Sequence, residues 1–303
     1  MYYILYGFLY ILSLLPLRVL YIIGDGVYGL LYYIIKYRRT VVMGNLSIAF
    51  PGKTEAEKTI IAKAFYHNFI DTFIEVIKML SITDKQAAKR VTGDFSGFEK
   101  AYPCGKNIQV HALHNFNWEI VQWAVAKNLK YPFLGVYMPI SNKAINRIFY
   151  DLRKRCGTVL IAATNFKNEF AQCVKEKYVL ALAADQNPGK LGNAYWLSFF
   201  GRPTPFLSGP EKGARMNDTA VVFVTFYKTR RGHYHLTSEL VTTAPNDLAE
   251  GELTRRFVNY VETTICNNPA NYLWSHRRWK HDWKPDYQSQ WYGPGLPAAP
   301  AIV

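Results

Sequence analysis

The segment His111-Ala-Leu-His-Asn-Phe-Asn-Trp-Glu119 carries the residue types with the most chemical reach in this chain. An imidazole whose Nδ1–H is held by a carboxylate keeps Nε2 free as a base, and such a pair activates a hydroxyl by taking its proton. Within one helix a five-residue offset turns two side chains about 140° apart. His114 and Glu119 therefore meet only if the histidine stands in a strand-to-helix turn and the glutamate in the first helical turn. On that geometry His114 is the expected base and Glu119 its orienting carboxylate. No metal site is expected, since H-x-x-H-x-x-x-x-E is not the zinc pattern H-E-x-x-H. A three-residue offset on extended backbone also sends His111 and His114 to opposite faces, which leaves His111 a structural role. No G-x-S-x-G elbow offers a serine nucleophile. Cys104, Cys156, Cys173 and Cys266 lack nearby helpers and read as small packing residues.

The elements that must position this pair follow from the hydrophobic pattern. Short apolar runs predict strands over 107–113, 133–138, 159–162, 179–184, 220–227 and 234–241. Helices are predicted over 118–127, 143–155, 165–177 and 247–266. The alternation implies an α/β fold, a central mostly parallel or mixed sheet flanked by helices. Upstream, Thr54 is a suitable N-cap for a long amphipathic helix reaching about residue 80. Asp185 directly follows an apolar strand, where sheets of this kind place ligands. From about residue 286 the Gly- and Pro-containing tail is expected to be irregular.

Half of the 303 residues are hydrophobic and 16% aromatic, and 36 Lys+Arg against 22 Asp+Glu give a net charge of +14. So apolar a chain is not disordered, and four cysteines with no C-x-x-C pair make no disulfide scaffold. Basic charge with many aromatics leaves two partner classes, nucleic acid or an anionic membrane surface. Residues 1–35 favour the membrane, because their only charges are Arg18 and Asp25. The apolar stretch 2–23 could cross a ~30 Å hydrocarbon layer. Pro16 and Arg18 interrupt it, and Gly24 and Gly26 are expected to break the helix. A tilted span, a kinked helical pair lying partly in the membrane and a monotopic anchor all remain open. Lys36, Arg38 and Arg39 place the residues beyond them on the cytoplasmic side. This divides the chain into an anchor, 1–35, and a larger domain, 36–303. Gly24-Asp-Gly-Val-Tyr-Gly29 matches a dinucleotide-binding pattern, but no Asp or Glu between 40 and 54 is there to hold a ribose.

Several ordered blocks resemble one family. Arg39-Thr-Val-Val-Met-Gly-Asn-Leu-Ser-Ile-Ala-Phe-Pro51, Asn117-Trp-Glu119, Arg153-Lys-Arg-Cys-Gly157, Ala184-Asp-Gln-Asn-Pro-Gly189 with Phe199-Phe-Gly-Arg-Pro203, and Tyr272-Leu-Trp-Ser-His-Arg-Arg-Trp-Lys280 are similar to blocks of the late acyltransferases of lipid A biosynthesis. His114…Glu119 matches the H-x(4)-D/E signature of the wider lysophospholipid acyltransferase-like superfamily. The resemblance implies a bacterial inner-membrane enzyme, active on the cytoplasmic side. It would move a fatty acyl chain from acyl carrier protein to a hydroxyl of a lipid A precursor, or of another lipid acceptor such as a glycerolipid or aminolipid. His114 and Glu119 would be catalytic. Substrate would meet Asn117, Arg153, Arg155, Asp185, Gln186, Arg202, His276, Arg277 and Arg278, with either Arg153 or Arg155 filling the family's arginine role. A thioester is already activated, so no metal or organic cofactor is expected. The basic groups would serve acyl carrier protein, the phosphorylated lipid A precursor and membrane lipids, not nucleic acid. Trp196, Phe199 and Phe200 are candidates for an acyl pocket, with core packing as the other reading.

Overall fold

A computed structural model describes residues 1–174 and 176–297. Two apolar helices come first, α1 (Tyr2–Leu14) and α2 (Leu17–Gly29), separated at Pro16. A π-helical turn, Leu30–Ile35, prolongs α2. Next come α3 (Arg39–Ala49) and the 25-residue α4 (Glu55–Met79). Thr54 starts α4 through a capping box: its hydroxyl accepts from the Glu57 amide, and the Glu57 carboxylate accepts from the Thr54 amide at 2.8 Å. Gly24 and Gly26 do not break the helix as expected, since α2 runs through both. Gly24 serves close packing instead, because a Cβ there would lie 3.0 Å from Ile74 Cγ1 on α4.

The α/β part proceeds through α5 (Asp84–Ala88), β1 (Val91–Asp94), α6 (Ser96–Ala101), β2 (Ile108–Ala112), α7 (Trp118–Asn128), β3 (Phe133–Tyr137), α8 (Lys143–Arg155), β4 (Val159–Ala162), α9 (Phe166–Cys173) and β5 (Val179–Ala183). A hairpin, β6 (Ala194–Phe199) and β7 (Arg202–Leu207), precedes α10 (Gly209–Met216), β8 (Ala220–Arg230), β9 (His233–Thr242) and α11 (Glu252–Asn267). The central sheet has seven strands in the order β1-β9-β8-β2-β5-β3-β4; only β8 and β9 pair antiparallel. The expected α/β class is therefore present, and all six expected strands form. Strand β1 and the β6–β7 hairpin lie outside the expected set. Prolines at 203 and 205 argue against a strand by removing ladder donors, and a two-stranded ribbon tolerates them. The helix expected from 247 starts at Glu252, behind Gly251 at φ 82°. The one expected over 165–177 ends at Cys173; position 175 and the last six residues of the tail lie outside the described residues.

Buried side chains fill both sides of the sheet. On β2, Ile108 and Val110 pack with Val121, Ala124 and Val125 of α7, while His111 turns the other way, against Phe223 and Phe257. Helices α2, α3, α4 and α11 close the His111 side. The Asn45 side-chain amide on α3 donates to the Trp274 and His276 carbonyls at 2.8 and 2.7 Å. Arg38 adds a bond to the Ser275 carbonyl at 3.0 Å. The basic segment 272–280 is thereby tied to the start of the body.

Candidate active site

Strands β2 and β5 are parallel neighbours with Ala112 opposite Ala183. Two residues beyond each strand end, His114 and Asp185 arrive side by side. The His114 Nδ1 lies 2.6 Å from Asp185 Oδ1, which also accepts from the His114 backbone amide at 3.2 Å. Asp185 is 1% exposed, whereas the His114 side chain is 25% exposed. The carboxylate is thus sealed in and the imidazole reachable, and Nε2 has no hydrogen-bond partner among the described residues. Burial works to lower the imidazole pKa, but the Asp185 charge and hydrogen bond outweigh it, and the net shift is upward. For Asp185 burial acts upward, and the His114 charge and hydrogen bonds carry the net shift downward. Both partners thus favour the charged pair.

Glu119 does not meet His114, which corrects the expected pairing. The Asn117 side chain caps α7 by accepting from the Glu119 amide at 3.0 Å, and the Glu119 carboxylate turns toward α8. There Arg153 Nε donates to Oε2 at 2.9 Å, and Arg153 Nη2 bonds Oε1 to close a bidentate pair. Trp118 Nε1 donates to Oε1 at 3.0 Å. The two arginines of this block differ in placement. Arg153 faces the site, while Arg155 spends its guanidinium on the carbonyls of Met79, Leu80 and Ile82.

Beneath His114, Trp118 and Arg153 lies a cavity of about 300 Å³ between α7 and the sheet. Its walls follow the strand register. Ala112 and Ala183 form the tier below the histidine, Val110 and Ala181 the next, with Gly135 opposite Ala181 and Phe133 one step deeper on β3. From α7, Val121 and Val125 line the facing wall. Small side chains on three adjacent strands leave this space open, and it is apolar below its mouth. Trp196, Phe199 and Phe200, the residues expected to offer an acyl pocket, take no part in it. Phe199 packs on Phe206 and Trp279, and Trp196 on Tyr287.

A sequence model of the bacterial lipid A biosynthesis acyltransferase family matches residues 1–281. The chain belongs to that family. It is 26% identical over 296 residues to a lipid A biosynthesis lauroyltransferase of Escherichia coli (strain K12), covering 90% of this chain and 89% of that protein. Similarity extends to a lipid A biosynthesis palmitoleoyltransferase of the same organism and a lipid A biosynthesis acyltransferase of Shigella flexneri, each 21% identical over 280 residues with 90% and 89% covered.

The remaining expected site residues of this acyltransferase divide by burial. Asn117 is fully buried, its Nδ2 donating to Glu75 at 3.0 Å, so it shapes the turn and does not reach substrate. Arg278 is likewise 0% exposed. It donates to Asn187 Oδ1 at 2.8 Å and the Pro205 carbonyl at 3.0 Å and lies over the Phe206 ring. Burial lowers its pKa to about 10, so it stays a cation that braces the loop beyond Asp185 and cannot reach an external phosphate. His276 sits near Asn187, whose Nδ2 lies 3.1 Å from its Nε2; burial, then the Arg278 charge, bring the imidazole down to about 4. Gln186 is half-buried beside Asp185, while Arg202, Arg277 and Lys280 are exposed. Residues that spacing does not single out include Tyr272, buried behind the pair. Its hydroxyl titrates well above the ordinary range through burial and the Asp185 charge.

Proposed function

We propose that this lipid A acyltransferase transfers a fatty acyl chain from an acyl carrier protein thioester to a hydroxyl of a lipid A precursor, at the cytoplasmic face of the inner membrane. Residues 1–35 serve as its membrane anchor and the rest as the acyltransferase domain. The observation that carries this reading is the reachable His114, backed by buried Asp185, at the mouth of an apolar cavity. His114 Nε2 takes the proton of the acceptor hydroxyl. The hydroxyl oxygen bonds to the thioester carbonyl carbon, the carbon–sulfur bond breaks, and the imidazolium returns its proton to the departing thiolate. Asp185 keeps Nδ1 protonated and steadies the imidazolium. Glu119 orients Arg153, whose Nη1 remains uncommitted among the described residues and faces developing charge at the mouth. The acyl chain occupies the cavity, with its thioester level with His114. Exposed Arg202, Arg277 and Lys280 suit phosphates and an acidic carrier. These steps require no metal or organic cofactor.

The test is turnover of purified enzyme with acyl carrier protein thioester and a lipid A precursor. His114→Ala should abolish transfer without unfolding the protein; undiminished turnover would remove the base from this scheme. Mass spectrometry of the lipids from a deletion strain identifies the acceptor by which species loses one acyl chain.

A further inference from the structure

We infer that α1 and α2 lie in the plane of an anionic lipid surface and do not cross it, with the cavity mouth beside them. The inference rests on the membrane-associated reading above and specifies its geometry. Helix α1 spans 13 residues, about 20 Å, and falls short of a ~30 Å hydrocarbon core. The stretch Leu17–Ile35 is long and apolar enough to cross, but its inner side is already occupied. Leu20, Gly24, Tyr28 and Tyr32 are buried against the body. Tyr21 donates to the buried Glu75 carboxylate at 2.9 Å. Asp25 pairs with Arg231 at 2.6 Å, and Arg231 also holds the buried Asp71. Turning this helix across a bilayer would place Asp25 in hydrocarbon, break its pair with Arg231 and take the Tyr21 hydroxyl from buried Glu75. The junction after α1 is fixed as well, by Lys78 donating to the Ser13 and Leu15 carbonyls at 2.7 and 3.0 Å.

The outward sides carry the opposite character. Ile4, Phe8 and Ile11 form an exposed stripe on α1, and Val19, Ile22 and Ile23 one on α2. Helical spacing puts each set on one face. Exposed Arg18 and Lys36 bracket α2 and have no ion-pair partner among the described residues, an arrangement that complements anionic headgroups. The apolar surface also reaches the site. Helix α1 packs on α8, and Met138, just before α8, is 67% exposed while lining the cavity. A lipid acceptor held in that surface would meet the mouth without leaving its membrane.

Membrane topology tests this independently of catalysis. Arg18→Cys and Lys36→Cys proteins are labelled with a membrane-impermeant maleimide in vesicles of both orientations. Labelling is read peptide by peptide, and native Cys266 marks the side of the body. Both positions should label from the Cys266 side; labelling of either from the opposite side overturns the in-plane placement. Ile11→Glu combined with Ile22→Glu should weaken flotation with phosphatidylglycerol-containing vesicles at least tenfold. Unchanged flotation, with loss of a dimer in sedimentation, would show a second copy covering this face and would also overturn it. Neither readout depends on acyl transfer, so failure here is distinct from failure of the proposed reaction.

Discussion

Asp185→Asn isolates the charge behind the proposed base with little change of shape. The asparagine oxygen can still accept from the His114 amide and Nδ1, which Asp185 Oδ1 now does at 3.2 and 2.6 Å. Its new NH₂ would take the place of Oδ2, an atom with no hydrogen-bond partner among the described residues, and could donate toward the likewise unpartnered Tyr272 hydroxyl. What disappears is the carboxylate charge facing the imidazolium that forms as the acceptor loses its proton. Two unit charges about 4 Å apart at an effective dielectric near 20 interact by ~4 kcal/mol. At 1.36 kcal/mol per decade this is roughly a thousandfold in kcat.

The pH profile supplies a second readout. The proposed base would work unprotonated, so activity should rise with pH through the imidazole pKa, which Asp185 raises. In Asp185→Asn that limb should move to lower pH even as the maximum falls. Because Asp185 acts through the imidazole, adding the substitution to His114→Ala should cost little more. Steady-state kinetics with thioester and lipid acceptor, taken across neutral pH, measure all three quantities. An Asp185→Asn enzyme within tenfold of wild type, beside an inactive Glu119→Gln enzyme, would refute the assignment and return the orienting role to Glu119.

Glu119→Gln should break a bidentate pair whose side chains are only 2% and 15% exposed. Disrupting such a buried pair costs about 3–5 kcal/mol, so thermal denaturation should shift down by roughly 10 °C. Ala181→Leu should fill the second tier of the cavity and move donor preference toward shorter acyl chains, read by mass spectrometry from competing thioesters. Gly24→Leu should drive a side chain into Ile74 and destabilise the fold by about 1–3 kcal/mol. Gly26→Leu, with nothing within 4 Å of the added Cβ, should not, and denaturant titration distinguishes the two.

Local features of this protein are legible in its residues, and long-range partnerships are much less so. The turn at His114, the cap at Thr54 and the span of α8 follow from apolar periodicity and short-range chemistry. The pattern rightly sets Asn117 and Glu119 at the start of a helix, yet it does not reveal their partners. The cap locks Asn117 inward, and Glu119 pairs across to α8 instead of back to the turn. Arg278 shows the same gap, since nothing within Trp274–Trp279 announces that one arginine of an adjacent pair is sealed beneath Phe206 while its neighbour stays exposed. Gly24 reads as a helix break because its need for a close neighbour arises on α4, fifty residues away. The proposed base illustrates why this happens. His114 has a carboxylate five residues off and another seventy-one residues off, and sequence distance favours the first. Strand order reverses that preference: β5 lies beside β2 in register, so each chain segment, two residues past its strand, delivers one half of the pair. A signal is present, because both residues follow apolar strands, but it becomes decisive only once those strands are known to be neighbours.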